Sequence, residues 1–443
     1  MTNGSEAEAE IKRLGTLHPK AVDLSLDRIT RLLAALGNPE RRLPPVVHIA
    51  GTNGKGSAAA FSRAILEAAG LSVHVHTSPH LVRWHERYRI GAAGGGRLVE
   101  DDVFADAIRR VADANAGGPI TVFELLTAVT FVLFSEHPAD AAIIEVGLGG
   151  RFDATNVVPR PAVSVIMPIS LDHQAFLGDR VELIAAEKAG IIKPGVPAVI
   201  GEQTSDSARD VLVNAADRAG APLWVFGQDY SAHQEHGRMV YQDGEMLLDL
   251  PLPRLPGRHQ IANAAAAIRA LRSAGFKVTE AAIETGLTSA EWPARMQRLS
   301  RGALVEKAPI GAEIWLDGGH NPGAGIVVAE ALAQLEDRNP RPLYLVTGMI
   351  NTKDPVGYFQ AFQGIARQVF TVPIRSSDAG IDNRELAAAA RSAGLVARPA
   401  EGVGEALEAI TRLAPPDEPV RILIGGSLYL SGDVLAQNGT PPQ

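Results

Sequence analysis

Short apolar runs rich in β-branched residues recur along the chain: "PPVVHIAG", "LSVHVHTS", "AAIIEVG", "AVSVIMPIS", "VPAVIG", "LYLVTG", "QVFTVPI" and "VRILIGGS". Most are continuous rather than alternating, the pattern of strands covered on both faces. Between them lie stretches such as "SAAAFSRAILEAAG" and "ANAAAAIRALRSAG", rich in alanine and leucine and closed by a glycine suited to a helix end. Strand and helix alternate, which specifies an α/β chain with mainly parallel sheets. One segment departs: "MVYQDGEMLLDLPLP" alternates about Asp243 and Gly244 and reads as an antiparallel hairpin. After "EWPARMQRLS" a new α/β series opens with "EIWLDGGHNPGAG". A chain of 443 residues exceeds what one core usually supports. The reading is two domains, 1–298 and 299–443. The stretch "GAAGGGRLVE" reads as a glycine-rich surface loop.

Composition narrows the function classes. The chain has no cysteine, so disulfides, thiolate nucleophiles and cysteine-held zinc are excluded. Its 42 basic and 50 acidic residues give a net charge of -8, which argues against a general affinity for nucleic acid or an anionic membrane. An anionic ligand must then be met by a local site. No apolar run approaches the roughly 18 to 20 residues of a membrane span. The opening "MTNGSEAEAEIKRLG" has neither a basic start nor an apolar core of an export signal, so the expectation is a cytoplasmic monomer.

The stretch "HIAGTNGKGS", residues 48–57, carries the first chemistry. A strand runs into a turn, Gly51 to Gly56, which feeds a helix. Free backbone N–H groups and the positive helix end favour an anion there, and Lys55 adds a mobile charge. Gly56 separates the lysine from Ser57, so the pattern is not a standard Walker A, and alone it indicates only nucleotide phosphate. A second signal is "AAIIEVGLGGRFDATN", a strand ending in Glu145, where a carboxylate suits a hard cation beside phosphates. "SLDHQAFLG" contributes His173 and "IAAEKAGIIKPG" contributes Lys188 at a helix end. In isolation Glu145 is an ordinary strand-end acid, His173 a loop histidine and Lys188 a charge complementing the helix dipole.

Taken together, "GTNGKGS", "TSPHL", "EVGLGGRFDATN", "EKAGIIKPG", "HQIANAAAAIRAL", "EWPARMQ", "DGGHNP" and "GSLYLSG" resemble, in order and spacing, folylpolyglutamate synthase and the bifunctional dihydrofolate synthase of the Mur ligase superfamily. The likeness runs almost end to end. Departures are mild: "WPAR" for WPGR, "DGGHNP" for DGAHNP, and Thr352 where an acidic residue is commoner. The resemblance implies a P-loop-type, mainly parallel N-terminal domain with a small antiparallel subdomain, and a Rossmann-like α/β C-terminal domain. It implies an ATP-dependent ligase joining L-glutamate to dihydropteroate or reduced folates, with the substrate carboxylate phosphorylated first. Such chemistry is mostly positioning and charge neutralisation and requires no nucleophilic side chain.

Carried onto this sequence, the resemblance gives Gly54, Lys55, Gly56 and Ser57 to the ATP phosphates. Asn263 and Arg295 from the first domain, and Asp317 and His320 from the second, become further ATP contacts. Ser78, Glu145 and His173 would bind magnesium, two ions in all, and Lys188 would join them as a carbamate. The residues carrying catalysis are then Lys55, Lys188 and His173. For the pterin end, "HPKAVDLSLDRITRLLAALGNP" offers Leu24, Ser25 and Leu26, and the glycine-rich turn offers Phe152, Asp153 and Ala154. Phe123 and Glu124 of "TVFELLTA" either face that substrate or pack.

Two rivals stand beside this reading. A GTPase-like switch needs an N-K-x-D base reader, and in "NTKD" the lysine falls one place too late. The second rival is a Mur-type ligase acting on a cell-wall precursor, but "DLSLDRI" and the inserted Gly56 fit the folate branch better. Within the folate branch, a folylpolyglutamate synthase without the dihydrofolate synthase activity stays open.

Overall fold

A computed structural model describes residues 10–11, 25–415 and 418–443. Leu24 lies outside them. The first sheet has the order β4-β3-β2-β5-β1-β6-β7-β8. Its strands are β1 (Val46–Ala50), β2 (Val73–His76), β3 (Tyr88–Ile90), β4 (Arg97–Leu98), β5 (Ala141–Glu145), β6 (Val163–Ile166), β7 (Ala198–Ile200) and β8 (Leu223–Val225). From β2 to β8 the neighbours are parallel, whereas β3 and β4 add an antiparallel edge. Arg97–Leu98 therefore corrects the surface-loop reading of "GAAGGGRLVE": part of it pairs with β3. A two-residue strand beside four glycines leaves no periodic signal to read.

Every residue of β1 and β5 is buried, as continuous apolar runs demand. One face of the sheet packs on the helices Lys55–Ala68 and Arg258–Ser273, whose alanines (Ala58, Ala59, Ala264 to Ala267) let the backbones approach closely. The other face is covered by the helix Val122–Glu136, apolar on nearly all sides. The hairpin expected about Asp243 is present as β10 (Arg238–Asp243) and β11 (Leu247–Leu250), with β9 (Tyr230–Glu235) completing a three-stranded antiparallel sheet.

The second sheet has the order β12-β13-β17-β14-β15-β16: β12 (Gln297–Leu299), β13 (Glu313–Asp317), β14 (Leu343–Thr347), β15 (Ala366–Thr371), β16 (Ala397–Pro399) and β17 (Arg421–Gly425). Only β12 is antiparallel to its neighbour. Mixed α/β architecture with a large, mainly parallel first sheet and a second α/β sheet is thus what the chain adopts. Among the described residues no helix is long and apolar enough to cross a membrane.

Candidate active site

The site is built at the carboxyl ends of β5, β1 and β6, the rim where open parallel sheets receive ligands. Register fixes its layout: Ile49 lies opposite Glu145, and Ala50 lies opposite Ile166. Beyond Ala50 the chain turns, with Thr52 N donating to Pro168 O at 2.9 Å, and enters the helix Lys55–Ala68. Gly54, at φ +83°, sits before that helix; a Cβ there would lie 2.7 Å from Asn263 Oδ1. Asn263 is one turn inside the helix Arg258–Ser273 rather than at its start, and is buried. Its Nδ2 donates to Gln260 Oε1, and Gln260 Nε2 donates to the buried Ser57 Oγ. Gly54, Ser57 and Asn263 are thus brought together through Gln260, which lies in the stretch "HQIANAAAAIRAL" but is not among the site residues expected from the sequence.

Lys55 is the first residue of the helix and largely buried, not a mobile loop charge. Its Nζ donates to Gly51 O at 3.0 Å and Thr52 O at 3.3 Å, and stands 3.9 Å from Glu145 Oε1. The turn carbonyls hold the ammonium back against the loop. Burial lowers the Lys55 pKa, opposed by Glu145. Lys188, buried near the end of the helix Val181–Ala189, donates from Nζ to the same Gly51 carbonyl at 3.0 Å. Burial and then the neighbouring Lys55 push its amine down to about 7.

Glu145 is buried, and burial raises its pKa against the pull of Lys55. Its Oε2 accepts from Ser78 N at a long 3.4 Å. Such a carboxylate, short of strong partners and beside a serine, fits a hard cation that completes its shell with phosphate and water oxygens. His173 is exposed, at φ +51°, with Nε2 3.9 Å from Asp172 Oδ2. Among the described residues no three His, Asp or Glu side chains converge as a metal-holding group. The donor set Ser78 and Glu145 fits magnesium held chiefly through substrate phosphates, whereas His173 stands apart beside Asp172.

The second domain closes over this rim. Asn321, buried, caps the helix Pro322–Arg338 through Ala324 N and exchanges amide bonds with Asn53 of the loop, at 3.2 and 3.4 Å. Asp172 accepts from Lys353 Nζ at 2.5 Å and from Asn321 Nδ2 at 3.3 Å, with His320 Nε2 at 3.5 Å. Burial opposes its ionisation, but the bond to His320 and the charge of Lys353 hold the carboxyl well below its usual range. Asp317 ends β13 with both oxygens engaged, by Met296 N at 2.8 Å and Gly319 N at 2.7 Å, and burial raises its pKa. Arg295 donates from Nη1 to Ala294 O at 2.8 Å and lies against Gly318.

Of the residues expected at a pterin end, Phe123, Phe152, Asp153 and Ala154 lie at the turn 147–154. A Cβ at Gly147 would meet the Phe123 ring at 2.3 Å, so that glycine admits the ring. Asp153, buried, accepts from Leu148 N and from Thr155 N and Oγ1. Ala154 is buried and Phe152 is exposed. Glu124 packs: it forms a capping box with Thr121 and pairs with Arg28 at 3.0 Å. Leu26 packs against the same core, and Ser25 Oγ accepts from Asp27 N.

The sequence matches the Mur ligase middle domain over residues 49–271 and the Mur ligase glutamate ligase domain over 295–428. It is 35% identical over 420 residues to the folylpolyglutamate synthase of Lacticaseibacillus casei, covering 92% of each chain. Its structure is similar to Escherichia coli FolC in complex with DHPP and ADP (TM-score 0.85, 31% identity, 98% of this chain and 97% of that one). It is equally similar to the bifunctional folylpolyglutamate synthase/dihydrofolate synthase from Yersinia pestis complexed with AMPPNP and Mn (TM-score 0.85, 30% identity, 98% of each). With both domains matched and the phosphate loop, Glu145 and Lys188 assembled on one rim, the chain belongs to the folylpolyglutamate synthase/dihydrofolate synthase family of Mur ligases.

Proposed function

We propose that the chain joins the amino group of L-glutamate to the carboxyl of dihydropteroate and of reduced folates, using ATP. An oxygen of the substrate carboxylate attacks the γ-phosphorus as the bond to ADP breaks; the amine then attacks the acyl carbon and phosphate leaves. The observation that carries this reading is the assembly of one site from two domains: the loop residue Asn53 bonds Asn321, and Asp172 bonds Lys353. Such closure excludes water from an acyl phosphate. The strand Gln297–Leu299 already belongs to the second sheet, so the division is better drawn just before residue 297 than after 298, which would split that strand.

Gly54, Lys55, Gly56 and Ser57 hold the phosphates, with Asn263, Arg295, Asp317 and His320 placing the nucleotide. Ser78 and Glu145 would hold magnesium, which would supply charge neutralisation at the transferring phosphoryl group, and His173 would join them only after a local rearrangement of its exposed side chain. Lys188 acts as a carbamate, which a buried amine of lowered pKa supports. Phe123, Phe152, Asp153 and Ala154 shape the pterin end. A cytoplasmic location is the reading that dependence on ATP supports.

The test is ADP release by the purified chain with L-glutamate and each of dihydropteroate, tetrahydrofolate and a UDP-linked cell-wall precursor. Release with the first two supports the proposal. Release with the precursor alone, or with no added acid, refutes it.

A further inference from the structure

A cavity of about 500 Å³ lies between the domains, in the range of small-molecule sites. Its inner end is lined by Ser78 and Glu145. It then follows one face of the helix Lys55–Ala68 past Gly56, Ala59 and Ala60 to Arg63, two turns and about 10 Å from Gly56. Arg89 of β3 lies beside Arg63, and Arg301 after β12 also lines the cavity. These guanidinium groups are poorly matched by acids. Arg63 reaches Glu67 only at 3.9 Å. Arg89 donates from Nη1 to Gly96 O, but its buried Nε has no partner. The Arg301 side chain has no ion pair among the described residues. The other acids lining the cavity are engaged: Glu86 accepts from the N–H groups of Leu81, Val82 and Arg83, and Glu291 pairs with Arg254 at 2.7 Å. Burial and then Arg63 push the Arg89 guanidinium down to about 10 against the pull of Glu67, so Glu67 is shared between Arg63 and Arg89 and matches only one of the two charges.

We infer that Arg63, Arg89 and Arg301 form a vestibule that holds an anionic dicarboxylate amino acid and delivers it to the inner end of the cavity. Arginine suits this ligand because its planar fork pairs with carboxylates through two parallel hydrogen bonds. A dicarboxylate amino acid carries one net negative charge, and a cationic cleft with low-dielectric walls raises its local concentration. The inference rests on the ligase reading and deepens it by assigning the route of the amino-acid substrate.

The test compares the full chain with the double variant Arg63→Gln/Arg301→Gln in glutamate-dependent ADP release. The expected result is a KM for L-glutamate raised about tenfold at low salt, with KM for ATP and for the pteroyl acid unchanged, and a difference that shrinks as salt screens the charges. Arg63→Lys/Arg301→Lys, which keeps the charge, recovers most of the loss. An unchanged KM for glutamate, or a rise that is indifferent to salt, overturns the vestibule. So does an unchanged KM accompanied by weaker product inhibition by inorganic phosphate, which would make the cavity a phosphate exit. A wild-type chain that shows no glutamate-dependent ADP release overturns the ligase reading instead.

Discussion

Lys55 and Lys188 share one acceptor: the carbonyl oxygen of Gly51 receives Nζ of each at 3.0 Å. Two ammonium groups crowded on one oxygen repel each other, and the more deeply buried amine is the one driven to neutrality.

For Lys188 the consequence is a pH dependence of known sign. Its amine is held at about 7 in the folded chain against an ordinary 10.5. Only the uncharged amine takes up CO₂, so turnover should fall as pH drops below about 7. Stability runs the same way. Between pH 7 and about 10 the unfolded chain binds the extra proton, so stability rises with pH across that window. Lys188→Met should remove that rise in urea titrations. Lys188→Arg should be inactive, because guanidinium stays charged. An active Lys188→Arg would show a plain cation at this position.

Gly56→Ala should abolish ligase activity and destabilise the chain by about 1–3 kcal/mol. A Cβ at Gly56 would lie 2.5 Å from the Trp292 indole nitrogen, so the ring or the helix N-terminus must shift. Trp292→Leu in the same chain should restore most of the stability. A Gly56→Ala chain with an unchanged melting temperature would contradict the close approach.

Glu145→Gln should raise the magnesium requirement sharply or eliminate turnover, since an amide is a poorer ligand for a hard cation than a carboxylate. The fold should survive, because burial already disfavours the charge at Glu145 and its one hydrogen bond, from Ser78 N, is long. A magnesium titration identical to the parent's would reduce Glu145 to a strand-end residue.

Strands that end in chemistry are legible in the sequence because burial on both faces writes continuous apolar runs, and the loop after β1 and Glu145 at the end of β5 follow directly. The hairpin at Asp243 is legible for a similar reason, its period of two. What stays hidden are partners joined only by folding. Asp172 and Lys353 are 181 positions apart, and no spacing rule pairs them. His173 stands next to Asp172, and Thr352 next to Lys353, yet the stronger contacts belong to Asp172 and Lys353. Three glycines around Lys55 write a loop, whereas one positive φ at Gly54 suffices to start the helix at the lysine itself.

The last prediction concerns that same pair. Lys353 and Asp172 form an ion pair that joins the two domains, with each side chain under a tenth exposed. Removing one partner of such a pair leaves a buried charge unmatched, at a cost of about 3 kcal/mol or more. Lys353→Met should therefore loosen the second domain, lowering kcat and increasing protease sensitivity between the domains. Asp172→Asn should cost a similar amount, because it leaves the Lys353 ammonium unmatched and its single amide oxygen cannot accept from both Lys353 Nζ and Asn321 Nδ2. The double variant should recover part of the loss, giving a coupling energy outside the few tenths of a kcal/mol expected of independent sites. Additive effects in that cycle, with kcat unchanged in Lys353→Met, would show that the pair does not hold the domains together.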